Sequence, residues 1–212
     1  MKLHSYIVET DSGFAPNPFW GFCTLATCMT VIRRCAKNRD WVVGAGSKNG
    51  VGQGKLVYAM CVDEILPLEK YATDPRFEEK KPHIGLFQTW CGDNIYFKDE
   101  SGAWNQRHSY HTAKDMEHDL SGKNVLISET FYYFGGNAMD IPKDFQALVP
   151  MGQWVKGHRN KHNPELVGAF ILWLQANYSH GIHGEPAQFN RKAQPNKSFH
   201  PTRLSLPLIN IE

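Results

Sequence analysis

The sequence predicts an α+β fold: a mixed, partly closed β-barrel with flanking helices. Three observations lead there. The apolar runs are short and end at glycine, proline or aspartate turns, as strands do. Strand–helix alternation at regular intervals, which a doubly wound sheet requires, is missing. Clear 3.6-residue periodicity is confined to one early and one late segment.

Leu3 to Val8 alternates and reads as a strand, closed by Asp11, Ser12 and Gly13. The next stretch places Pro16 and Pro18 among Phe14, Phe19, Trp20 and Phe22. Prolines two apart exclude a helix interior, so this is an aromatic loop that either folds onto the core or faces a flat ligand. A helix is expected from Thr24 to Ala36, with Leu25, Met29, Ile32 and Ala36 as its buried stripe. Arg33, Arg34 and Lys37 would then suit the negative end of its dipole. Strands beginning at Trp41 and at Lys55 flank a loop that holds Gly44, Gly46, Gly50, Gly52 and Gly54. Lys55 is not followed by Ser or Thr, and a strand stands where a phosphate-binding loop needs a helix; a P-loop nucleotidase is excluded.

Leu68 to Tyr71 reads as a helical turn, and residues 74–82 as a charged loop closed by Pro82. The turn at Cys91-Gly92-Asp93-Asn94 leads into a strand at Ile95 to Phe97, and residues 107–124 are polar and rich in histidine. Val125–Ile127 and Phe131–Phe134 supply two more strands, broken near Ser128-Glu129. Lys156, His158, Arg159, Lys161 and His162 form a basic stretch before the late helix, Glu165 to Tyr178, which Asn163-Pro164 would cap. Residues 1–178 are expected to form a single domain, with 179–212 an irregular C-terminal extension.

Composition narrows the class. Of 212 residues, 42% are hydrophobic and 12% aromatic, enough for a core and incompatible with a disordered chain. Lys plus Arg number 23 against 21 for Asp plus Glu, a formal charge of +2. That balance excludes a histone-like polycation and leaves room for a local basic patch. The five cysteines at 23, 28, 35, 61 and 91 are an odd set, which suits reduced thiols in a cytoplasmic protein. Glu9 and Asp11 interrupt the opening run too early for a signal peptide, and no apolar run reaches membrane-spanning length.

Several segments together resemble the nucleotide modification associated domain 2 family. They are Gly13-Phe14-Ala15-Pro16-Asn17-Pro18-Phe19, Cys23-Thr24-Leu25-Ala26-Thr27-Cys28, Ile32-Arg33 and Asp40-Trp41-Val42-Val43-Gly44. Gly54-Lys55-Leu56-Val57-Tyr58-Ala59-Met60, Asp74-Pro75-Arg76-Phe77, Gly92-Asp93-Asn94-Ile95-Tyr96 and Val125-Leu126-Ile127-Ser128 extend the likeness over residues 3–164. One departure is Arg39, where the family pattern implies glycine. The resemblance implies a bacterial or phage protein of a system that modifies nucleotides or DNA bases. A looser likeness to PUA, ASCH and EVE barrels, carried by Ile32–Lys37, Asp40–Val43 and Gly54–Val62, implies a PUA-like barrel that binds a base between the first helix and the sheet.

On this reading the domain is a nucleic-acid- or nucleotide-binding module that recognises a plain or modified base. Phe14, Phe19, Trp20 and Trp41 would stack on the base, Asn17 would read its edge, and Arg33, Arg34, Lys37, Lys55 and Arg76 would meet phosphate. The alternative is an enzyme acting on a nucleotide or nucleic-acid base. Cys23, placed before the expected helix, is its thiol candidate, with His108 or His111 as base and Asp93 as a further catalytic candidate. His108, His111 and His118, close to Asp115 and Asp119, form the metal-like cluster, although the usual zinc spacings are absent. No cofactor is implied. The expected partners are nucleic acid or a free nucleotide, and other proteins of a DNA-modification system, with no membrane.

Overall fold

The computed structural model describes residues 1–83, 85–151 and 157–188. In chain order its elements are β1 (Leu3–Val8), β2 (Cys23–Leu25), α1 (Thr30–Cys35), β3 (Trp41–Gly46), β4 (Lys55–Cys61) and β5 (Glu64–Pro67). Then come α2 (Leu68–Tyr71), α3 (Phe87–Trp90), β6 (Tyr96–Lys98), β7 (Trp104–Gln106) and α4 (Ala113–Leu120). The last are β8 (Asn124–Ser128), β9 (Phe131–Tyr133), β10 (Met139–Asp140), β11 (His158–Arg159), α5 (Pro164–Asn177) and β12 (Gly181–Ile182).

Alternation along β3 sets the layers. Trp41, Val43 and Ala45 point to one side of the main sheet, where Val167, Phe170, Ile171 and Leu174 of α5 cover them. Val42 points to the other side, into a second core with Tyr6, Tyr58, Met60 and Tyr133 that is closed by Leu25, Leu126 and Ile32. A third core lies beyond the small sheet, where Val125 and Ile127 of β8 meet Leu68, Tyr71, Phe77 and Tyr96. The molecule is therefore a helix, a sheet, a smaller sheet and an outer layer, stacked in that order.

Among the described residues the main sheet runs β11-β1-β3-β4-β9-β12, with β10 also on β4. The small sheet is β2-β8-β5, and β6 pairs with β7. β1 and β3 are parallel, so the chain must cross over between them, and that crossover carries the aromatic loop, β2 and α1. The mixed α/β character matches expectation. The PUA-like barrel does not appear: β11 and β12 stand at opposite ends of the path, and no closed barrel forms among the described residues.

The early helix is shorter than its periodicity predicts. Thr24 and Leu25 pair with Ile127 and Leu126 as strand residues, and Cys28 and Met29 have φ of 54° and 31°. Left-handed backbone at two successive residues cannot continue a right-handed helix, so α1 starts only at Thr30. The late helix agrees closely, and Asn163 Oδ1 accepts from Glu165 N at 2.8 Å as its cap. Arg39, with φ 71°, occupies the left-handed backbone conformation that glycine adopts without strain. Part of the expected irregular extension is ordered onto the sheet: β12 pairs with β9, and Ala187 N donates to Asp11 Oδ2 at 3.0 Å. Residues 189–212 and Lys156 lie outside the described residues.

Candidate active site

The left-handed turn at Cys28 does more than end a strand. It turns the Cys28 backbone N–H onto Asp119 Oδ1 at 2.7 Å and sets its sulfur 3.5 Å from His111 Nε2. The other ring nitrogen, His111 Nδ1, lies 2.6 Å from Asp119 Oδ2, which also accepts from Tyr96 OH at 2.8 Å. Thiol, imidazole and carboxylate thus stand in series. The Asp119 side chain is fully buried, His111 is 20% exposed, and Cys28 is partly exposed.

Local structure holds each member. Asp119 sits in the last turn of α4, whose start is closed by Thr112 N donating to Asp115 Oδ2 at 2.7 Å. Just before that helix, the His111 carbonyl accepts from Gln106 Nε2 at 2.7 Å, and its N–H donates to Ser109 Oγ at 3.2 Å. Phe14 lies edge-on to the His111 ring with centroids 4.9 Å apart. A carboxylate on Nδ1 leaves Nε2 facing the sulfur, the orientation an imidazole needs to exchange a proton with a thiol.

The electrostatics follow the geometry. Burial disfavours the charged imidazole, but the hydrogen bond to Asp119 and the neighbouring Cys28 outweigh it and push His111 up to about 10. Burial likewise opposes the Asp119 charge, and the bond to His111 more than offsets it, so this carboxyl lies below the usual range. At neutral pH the pair is an imidazolium against a carboxylate.

Arg33 underlies the site. It is fully buried, so the expectation of a phosphate-facing cation is corrected. Its Nη1 donates to the carbonyls of Cys28 (3.1 Å) and Asp119 (3.0 Å), and its Nε to Asn124 O (2.8 Å). Burial pushes the guanidinium down to about 10. Gly122 packs flat on it: a Cβ there would stand 2.6 Å from Arg33 Cζ. Gly122→Ala is expected to cost about 1–3 kcal/mol, because the buried guanidinium has nowhere to move. A urea midpoint equal to wild type would contradict that.

The remaining expected residues are dispersed. Cys23 is fully buried on β2, where desolvation pushes its thiol up to about 12; the cysteine that meets a histidine is Cys28. Asn17 cannot read a base edge, since it is buried and its amide donates to Gly13 O and Cys91 O while Oδ1 accepts from Lys80 Nζ. Asp93 is buried too and accepts from Thr24 Oγ1 and Tyr71 OH, both at 2.7 Å; burial raises its carboxyl. Trp41 is a core residue stacked near Tyr132, and Phe14 is buried beside His111. Arg76 forks onto Glu64 and Asp74, Lys55 pairs with Asp140, and Arg34 and Lys37 are exposed. Phe19 and Trp20 line a cleft of about 300 Å³ with Leu86, Gln88 and Ile182.

The three expected metal histidines do not converge. His108 and His118 are exposed, and His108 lies against Trp90. Among the described residues, the group whose ligand atoms do converge, all within 4.8 Å, is Cys28, His111 and Asp119. Asp119 is already committed to the far nitrogen of His111, so an ion would find Cys28 Sγ and His111 Nε2 facing it, too few for a closed site. Proton-coupled thiol chemistry suits this donor set better.

A mixed α/β domain with a cysteine–histidine–aspartate series at the edge of its small sheet is the class that fold and site define. The chain belongs to the nucleotide modification associated domain 2 family, whose model matches residues 1–193. No curated protein and no solved structure shows a significant match to it. No helix among the described residues is long and apolar enough to cross a membrane.

Proposed function

We propose that this domain is a cysteine-dependent enzyme of a nucleotide- or base-modification system, with Cys28 as nucleophile. The observation that carries this reading is the unbroken series from Cys28 Sγ through His111 to Asp119. Cys28 Sγ attacks an electrophilic carbon of the nucleotide or base, forming an S–C bond as that carbon's bond to its leaving group breaks. The proton that Cys28 gives up resides on His111 Nε2, as the imidazolium; that nitrogen donates it to the leaving group, and water, returning a proton to the same nitrogen, then displaces Cys28 Sγ as the S–C bond breaks. Asp119 holds the ring in the required orientation and balances its charge. The family's link to nucleotide modification supplies the substrate class.

A base-reading module remains the second reading. It is favoured by Trp20, which is 36% exposed and lines the smaller cleft with Phe19. Nucleic acid or free nucleotide, together with other proteins of the modification system, are the proposed partners, in the cytoplasm.

Thiol reactivity separates the two readings. Cys35 is exposed and serves as an internal standard for an ordinary thiol. Near pH 7, iodoacetamide is expected to modify Cys28 before Cys35, although Cys28 is less accessible, and His111→Gln is expected to reverse the order. Peptide mass mapping reads both. Slower modification of Cys28 in the wild type would remove the nucleophile.

A further inference from the structure

The cleft in front of His111 has a chemical character that the triad itself does not require. Its volume is about 430 Å³, within the range of small-molecule sites, and it is lined by Gln106, Arg107, His108, Ser109, His111, Thr112 and Ala113. Arg107, His108 and His111 are among the lining residues and no aspartate or glutamate is, the adjacent Asp115 carboxylate being bonded to Thr112. Arg107 is fixed in place: its guanidinium lies 4.4 Å from the Phe97 ring centroid, and Nη1 donates to Asn94 O at 3.2 Å. That leaves the rest of a planar, pre-oriented fork for an anion. Glu78 is the carboxylate whose charge reaches Arg107, and it is itself bonded to Lys81.

We propose that this cleft is the substrate's phosphate site, in which Arg107 anchors a phosphorylated nucleotide and presents its reactive carbon to Cys28. The proposal rests on the cysteine-enzyme reading for the last clause only; the anion site stands on the cleft. A single nucleotide suits the volume, so the 5′-phosphate of a mononucleotide is the expected anion, and the backbone phosphate of a strand is the other source of the same chemistry.

Protection of Cys28 from iodoacetamide is the test. The probes are inorganic phosphate, a panel of nucleosides, their 5′-monophosphates, and a short single-stranded oligonucleotide without terminal phosphates. At equal concentration a monophosphate is expected to slow Cys28 modification by about tenfold more than its nucleoside. Arg107→Gln is expected to abolish that difference, with folding checked by circular dichroism. Protection by monophosphates and inorganic phosphate supports the proposal and makes a free nucleotide the source. Protection by the oligonucleotide supports the anion site with a backbone phosphate as the source. Nucleosides that protect as well as their monophosphates overturn the proposal.

A second measurement needs no ligand. The rate ratio of anionic iodoacetate to neutral iodoacetamide is expected to be higher at Cys28 than at the exposed Cys35, and to fall in Arg107→Gln. Equal ratios at the two thiols overturn the anion site. Slow Cys28 modification that His111→Gln leaves unchanged would instead overturn the enzyme reading, so the two failures are distinguishable.

Discussion

Cys28→Ser is expected to lower turnover of a nucleotide substrate by about 10³-fold or more while the protein stays folded. The serine keeps nearly the same volume, so the αL turn, the bond from residue 28 N–H to Asp119 and the Arg33 contacts have no reason to change. What disappears is the sulfur beside His111. Cys23→Ser provides the contrast. That residue is fully buried among apolar side chains of the second core, so the substitution is expected to reduce stability and to spare turnover per folded molecule. Product analysis of the two variants against a nucleotide panel checks both statements. Retained turnover in Cys28→Ser would remove Cys28 as the nucleophile, and absence of turnover in the wild type would return attention to the base-reading module.

Asp119→Asn should have the second largest effect. The carboxylate accepts from Cys28 N, Tyr96 OH and His111 Nδ1 without access to water. An asparagine can keep one oxygen on the Cys28 N–H, but its NH₂ then faces two groups that were donating. His111 would be driven to the opposite tautomer, with a loss of about 10³–10⁴ in turnover as the expected scale for such a change.

The same variant should alter the pH dependence of stability. His111 is raised from 6.5 in the unfolded chain to about 10 in the folded one, so its contribution is complete below pH 6.5 and fades as the pH rises through 10. Asp119 is lowered, so its contribution is present above about pH 4 and is lost as the pH falls through its folded value. Wild-type stability is therefore expected to decline between pH 6.5 and 10 by an amount on the order of a few kcal/mol. In Asp119→Asn that decline should shrink sharply. Parallel urea midpoints for the two proteins across this range would contradict the ion pair.

Strands β1, β3, β4, β8 and β9, the cap at Asn163 and the helix behind it were legible locally. Alternation at Leu3–Val8 and Lys55–Cys61, and the apolar face of Pro164–Asn177, are properties of neighbouring residues. The early helix was overextended because Leu25 and Met29 fit a helical stripe; pairing with a strand some hundred residues later overrode that pattern. The helix at Ala113–Leu120 went unread although Thr112 and Asp115 have capping spacing. That signal would also have placed Asp119 on a helix that begins just after His111.

By itself the sequence determined the mixed helix-and-sheet class, the family, the presence of a core and the idea that a thiol before the early helix could work with His108 or His111. Only the tertiary structure decided which thiol and which cations are available. Cys28 and His111 are 83 positions apart, and Arg33 reaches Asp119 across 86. Periodicity reports which face of an element is apolar, but it carries no information on what another element brings against that face. Stacking the small sheet on the main one sealed Cys23 away, while the left-handed turn kept Cys28 within reach of His111. It is that long-range packing, with the dehydration of Asp119 and Arg33 it imposes, that turns separated polar residues into one site.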